Sequence, residues 1–157
     1  MNASPQIVQE VEKFYSDLST LFSEKKSQDL FNALHENFVG FPVDGGKGGR
    51  DDWIAVVRQE LSDYDFPDVN FSPLKISCED DVVIAYVSKR LVSKYANARR
   101  YDTVKLTREK LIQVDGEWKI LEIDNIQSDV TINNHPVGIK EQRTAQALMQ
   151  GCTNGHP

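Results

Sequence analysis

The stretch YDTVKLTREKLIQVDGEWKILEIDNI, Tyr101 to Ile126, decides how this chain is read. Two strand-like runs flank Asp115-Gly116, the residue pair favoured where a tight turn needs positive φ at both central positions. The stretch therefore reads as a hairpin in the middle of a sheet. Working back from it, Val82 to Tyr95 is a long strand, preceded by a turn at Glu79-Asp80-Asp81 and by a strand from Val69 to Cys78 that Pro73 interrupts. Four strands in meander order are expected, with a turn at Asn97 between the second and third.

Further upstream the periodicity changes from two to between three and four. Ser4-Pro5 supplies a cap and a first-turn proline, and Ile7, Val8, Val11, Phe14, Tyr15, Leu18, Leu21 and Phe22 follow at helical spacing. Leu30, Phe31 and Leu34 mark a second, shorter helix ending near His35. Phe38 to Val43 reads as a short strand, placed at an edge because Pro42 offers no ladder hydrogen bond. After the loop Asp44 to Gly49, Asp51 or Asp52 caps a third helix carrying Trp53, Ile54, Val56, Val57 and Leu61. The fold class is α+β, with three N-terminal helices packed on a curved, mostly antiparallel sheet of about five strands.

Composition bounds the function. A chain of 157 residues, 39% hydrophobic and 27% charged, fits one domain that hides roughly 70% of its unfolded surface. Its formal charge of −6 and pI near 5.0 argue against nucleic acid, whose binding needs a basic surface that releases counterions. The basic run Lys89, Arg90, Lys94, Arg99, Arg100 and Lys105, with Asp102 and Glu109 nearby, reads as a solvated strand edge. No apolar run reaches the eighteen or so residues of a membrane span, and the start has no signal-peptide pattern, so a cytoplasmic location is expected. Cys78 and Cys152 share no metal-ligand spacing, and His35, His135 and His156 lack i,i+4 spacing; neither a metal nor a cofactor is expected. The glycine loop lacks the Lys-Ser/Thr of a phosphate-binding loop and reads as a flexible turn.

The order of elements resembles the nuclear transport factor 2-like superfamily, a cystatin-like cone fold that includes SnoaL-type proteins and ketosteroid isomerases. The resemblance spans about Pro5 to Ile126. It rests on Leu34-His35-Glu36-Asn37-Phe38-Val39-Gly40-Phe41, on Gly49-Arg50-Asp51-Asp52-Trp53, and on Asp115-Gly116-Glu117-Trp118-Lys119-Ile120. Residues 1–128 are taken as this domain and 129–157 as an extension with a loop and a possible short helix from Ile139 to Met149. The resemblance implies a cone interior that binds small, mostly apolar molecules.

Site residues follow from the same comparison and from alternation. Phe41 stands where the isomerases carry their catalytic base, just before Pro42-Val43, and a phenyl ring accepts no proton. Tyr15 resembles the oxyanion tyrosine. The epoxide-hydrolase motif is out of place, since Arg100-Tyr101-Asp102 follows the Asn97 turn and the preceding strand has Arg90-Leu91-Val92. By period-two alternation Trp118, Ile120, Glu122 and Asp124 share a face, pairing two carboxylates beside an aromatic ring. Arg90 and Arg108 are expected at the rim. The expected ligand-binding set is Tyr15, Phe41, Trp53, Val57, Tyr86, Trp118 and Asp124.

Three functions remain open at this level. One is binding of a small apolar or weakly acidic ligand. Another is a cofactor-free lyase, isomerase or cyclase with Asp124 as acid/base and Tyr15 as donor. The third is a protein-interaction module using the open sheet face. Strands that are apolar at consecutive positions, such as Val82-Val83-Ile84-Ala85, want cover on both sides, so a homodimer through the sheet face is expected.

Overall fold

The computed structural model describes residues 2–95, 99–133 and 135–136. Helix α1 (Pro5–Ser23) starts where the Ile7 amide donates to the Ser4 hydroxyl at 3.2 Å, with Pro5 in the first turn. Its buried residues Val11, Tyr15, Leu18 and Phe22 form one stripe at steps of three and four. Helix α2 (Ser27–Asn32) follows, then strand β1 (Leu34–Phe41). The second helix therefore stops before His35, and residues 34–37 are extended. The Ile120 amide bonds to the Ala33 carbonyl at 2.7 Å, and Leu34 lies opposite Ile120, so sheet pairing takes over where helical spacing would have continued.

Beyond β2 (Gly48–Gly49), helix α3 (Arg50–Asp63) begins with the Gly49 amide donating to Asp52 at 3.1 Å. Arg50 ties that start to the α2 end, donating to the Phe31 carbonyl at 2.8 Å and to the Leu34 carbonyl at 3.3 Å. The meander is β3 (Tyr64–Glu79), β4 (Val82–Tyr95), β5 (Arg100–Val114) and β6 (Glu117–Ile132), and β7 (His135–Pro136) pairs with the end of β6. The sheet has seven strands, in the order β2-β1-β6-β5-β4-β3 with β7 beside β6. Five are long and two have only two residues, which alternation cannot detect. β1 runs parallel to β6 and the other paired strands are antiparallel.

Proline acts differently here from the sequence reading. Pro42 lies just past the end of β1, which sits between β2 and β6 and not at a free edge. The long edge strand is β3, opposite the two-residue β2, and it runs through Pro67 and Pro73 with register shifts at Asp65/Asp68 and Pro73/Lys75. Both turn residues Asp115 and Gly116 have positive φ, +52° and +81°, as the central hairpin requires. β6 continues past 128 to Ile132 because Val130 is buried. The expected helix over 139–149 lies outside the described residues.

The three helices cover one side of the sheet. Facing them are Val83, Ala85, Val87 and Leu91 of β4, Leu111 of β5, and Ile120 and Ile123 of β6, packed with the α1 stripe, Phe38, Trp53, Phe66 and Phe71. Phe22 meets Phe66 and Phe71 edge-on at 4.8 and 6.0 Å. α1 is fixed across β3 by two hydroxyls: Ser19 accepts from the Phe71 amide at 2.9 Å, and Ser23 donates to the Phe66 carbonyl at 2.8 Å. No helix is long and apolar enough to cross a membrane among the described residues.

Trp53 reaches the sheet only because position 40 is glycine. A Cβ there would lie 2.2 Å from the indole ring. Gly40→Ala should thus displace Trp53 and cost about 1–3 kcal/mol, as overpacking does. Urea unfolding checks it; a variant as stable as the wild type would show that the ring is not held against β1.

Candidate functional site

A cavity of about 90 Å3 lies between the helices and the sheet. Its walls are Leu18 and Phe22 of α1, Leu30 and Phe31 of α2, Leu34 of β1, Trp53 and Val57 of α3, and Phe71, Ile120 and Ile123 of the sheet. Among the described residues the wall has a single charged side chain, Lys89 of β4. Its ammonium lies 5.1 Å from the centre of the Phe71 ring, a cation–π distance.

Lys89 is held by a buried carboxylate. Glu109 of β5 is fully buried and receives three partners: Lys89 Nζ at 2.6 Å and the Thr107 hydroxyl at 2.6 Å on Oε2, and the Tyr15 hydroxyl at 2.8 Å on Oε1. Tyr15 is also fully buried, and Phe14 packs edge-on against it at 5.3 Å. Burial first, then the Glu109 charge and hydrogen bond, push the Tyr15 phenol well above its ordinary value. A carboxylate satisfied from three sides is a firm anchor. It leaves the ammonium fixed at the cavity wall, able to donate to an oxygen placed there.

The expected site residues separate. Tyr15, Trp53 and Val57 lie on the helix-facing side, Trp53 and Val57 in the cavity wall and Tyr15 behind it through Glu109. Asp124 lies on the outer side: it is opposite Arg108, while its neighbours Ile123 and Asn125 pair with the inward Glu109 and Thr107. Glu122 is likewise outside, 3.7 Å from Lys110 and 4.0 Å from Arg108. Phe41 pairs with Asp124 and shares its side. Tyr86 alternates with the inward Ala85 and Val87 and also faces out.

Trp118 occupies a different place, an open groove of about 630 Å3 between α1, the end of α2 and the Asp115-Gly116 turn. Its indole donates to Glu10 at 3.0 Å, and Lys13 and Asp17 pair across one helical turn at 2.7 Å. These groove polar groups satisfy one another.

Lys89, Glu109 and Lys105 are interior residues and not part of a solvated edge. Lys89 is opposite Lys105 across β4 and β5, in the inward register of Val87, Leu91 and Leu111. The outward Arg90 does form the expected surface pairs, with Asp102 at 3.1 Å and Asp68 at 3.6 Å. The overlooked signal was parity: Lys89 sits between Val87 and Leu91 at the spacing of a buried face, as Glu109 does beside Leu111. Among the described residues no group of three or more His, Cys, Asp or Glu could hold a metal ion.

The fold is that of solved nuclear transport factor 2-like proteins. An NTF2-like protein from Cytophaga hutchinsonii matches with a TM-score of 0.62 at 17% identity, over 78% of this chain and 98% of that one. An NTF2-like protein with a cystatin-like fold from Novosphingobium aromaticivorans gives 0.58 at 15% identity, over 90% and 88%. A candidate scytalone dehydratase from the same species gives 0.65 at 13% identity, over 84% and 92%. No family model and no curated protein matches the sequence. The chain therefore has the nuclear transport factor 2-like fold.

The phenols give a test in alkali. Tyr64, desolvated and beside Tyr101, Asp63, Glu60 and Tyr95, is pushed up to about 12. A phenol with its folded pKa above the unfolded value stabilises the fold fully below the unfolded value, about pH 10, and loses that contribution as pH rises through the folded one. Of the five tyrosines, Tyr15 and Tyr64 should ionise last, together with loss of structure. Ultraviolet titration followed alongside circular dichroism checks this; uniform ionisation near pH 10 with the fold intact would refute the buried contacts.

Proposed function

We propose that the cone binds a small, mostly apolar molecule, neutral or weakly acidic, and holds one of its oxygens on the Lys89 ammonium. The observation that carries this reading is the placement of one anchored cation in a wall that is otherwise apolar. Apolar walls supply affinity without direction, and a single fixed donor supplies orientation. Binding without turnover is the better-supported form, because Glu109 is saturated and Asp124 lies across the sheet. A cofactor-free lyase or isomerase is the second reading. It is favoured by the same ammonium, which would stabilise an enolate oxygen while a water admitted to the cavity takes the proton, with Asp124 taking no part.

Lys89→Met is expected to lower affinity for a cavity ligand at least tenfold, measured by quenching of Trp53 emission in a protein whose Trp118 is replaced by Phe. Removing one partner of a buried ion pair also destabilises the fold, so Lys89→Met/Glu109→Gln serves as the second variant. Unchanged affinity in both would exclude Lys89 as the anchor.

The outer side of the sheet is proposed to pair with a second copy of the chain. Val104 and Ile126 there are 44% and 45% exposed, among outward charged residues of both signs. Val104→Glu/Ile126→Glu should convert a dimer to a monomer in light scattering. A monomeric wild type would instead leave that side to a different protein.

A further inference from the structure

Beyond the Lys89 anchor, the interior contains polar groups that have no hydrogen-bond partner among the described residues. Glu60 of α3 is 2% exposed, and neither of its carboxyl oxygens has a hydrogen-bond partner among the described residues. The hydroxyls of Ser93 on β4 and Thr103 on β5 are fully buried and equally unpartnered. Strand register and the charge of Lys105 place these groups toward one end of the sheet. Thr103 pairs with Leu91 and Ser93 with Tyr101, so both hydroxyls stand on the helix-facing side, Thr103 two positions along from Lys105 and Ser93 four along from Lys89, which opposes Lys105. Glu60 interacts electrostatically with Lys105 and Tyr64, which places its carboxyl over the same end of the sheet. It also lies one helical turn past Val57, on the α3 face that lines the apolar cavity with Trp53 and Val57.

Folded proteins leave few buried polar atoms unpaired, and each one that persists costs stability. Four such atoms at one end of an interior, next to a cavity, are a pattern that folding alone does not favour. Burial raises the Glu60 carboxyl well above its usual range, and Lys105 offsets part of that. With three donors on it, Glu109 cannot fill this role; Glu60 has none.

Resting on the reading of the cone as a binding interior, we propose that Glu60, Ser93 and Thr103 form a second, polar subsite that takes the hydroxyl groups of a ring compound whose apolar part lies against Trp53 and Val57. A hydroxyl both donates and accepts. It can therefore complete a serine or threonine hydroxyl from the sheet and a carboxyl from the helix above. Because the unpartnered atoms come from both sides, the matching ligand carries at least two hydroxyls.

The test uses the purified 157-residue chain, without ligand and then with two ring probes of similar size, resorcinol with two hydroxyls and toluene with none. Thr103→Val removes an orphaned hydroxyl at constant shape and should raise the Tm of the ligand-free protein by roughly 2–4 °C. No rise, or a fall, would show the hydroxyl already satisfied and overturn the subsite. Resorcinol should raise the wild-type Tm more than toluene does. Thr103→Val and Glu60→Leu should each abolish that excess while leaving the toluene shift in place. If toluene stabilises the wild type and resorcinol does no better, the subsite is wrong and the apolar cone stands. If neither stabilises it, the binding reading of the cone fails and the subsite with it.

Discussion

The Glu109 carboxylate is the constraint on which the interior depends. A bare carboxylate in a protein interior costs several kcal/mol, so it persists only where its oxygens are paired. Here the pairing draws on three elements at once: Tyr15 from α1, Lys89 from β4, and Thr107 from its own strand. The contact sets how α1 lies on the sheet, because the Tyr15 hydroxyl must reach the β5 position two residues beyond Thr107. It also decides the chemistry of the cavity, since among the described residues the only ammonium in that wall is the one Glu109 holds.

Around this anchor, smaller constraints close the cone. Gly40 lets Trp53 lie flat on β1, and the ring meets Phe38 at 5.3 Å, which makes the far wall of the cavity aromatic. Arg50 draws the α3 start onto the carbonyls of Phe31 and Leu34 and so joins α3 to the α2–β1 junction. The cavity is therefore a property of packing between the three helices and strands β1, β3, β4 and β6, which sequence order keeps apart. The outer side is built by a different rule, with ion pairs such as Arg90–Asp102 interspersed among exposed aliphatic groups.

One register shift explains most of the difference between the expected and observed sites. Strict alternation along Trp118, Ile120, Glu122 and Asp124 places all four on one face. In β6, Ile120 lies opposite Leu111 while Glu122 lies opposite Lys110, so two steps on β6 match one on β5 and Leu121 is the extra residue. Past that bulge the parity reverses. Ile123 and Asn125 turn inward, and Glu122 and Asp124 turn out to the basic side chains of β5. A second shift, where Thr107 faces Asn125 but Leu106 faces Gln127, returns Ser128 and Val130 to the interior.

The sequence by itself determined the order of elements, the hairpin at Asp115-Gly116, the capped first helix and the buried stripe containing Tyr15. These are local matters of turn geometry, capping and periodicity, and they place the chain among the cone folds. Which side of each strand faces the helices was decided only by the tertiary structure. β4 is apolar at consecutive positions, so its parity is ambiguous, and β6 changes parity within its length. The buried ionic groups followed the same logic. Lys89, Glu109 and Glu60 are charged residues whose burial depends on partners or neighbours 20 to 94 positions away, and separations of that kind leave no local signature for period or propensity to register.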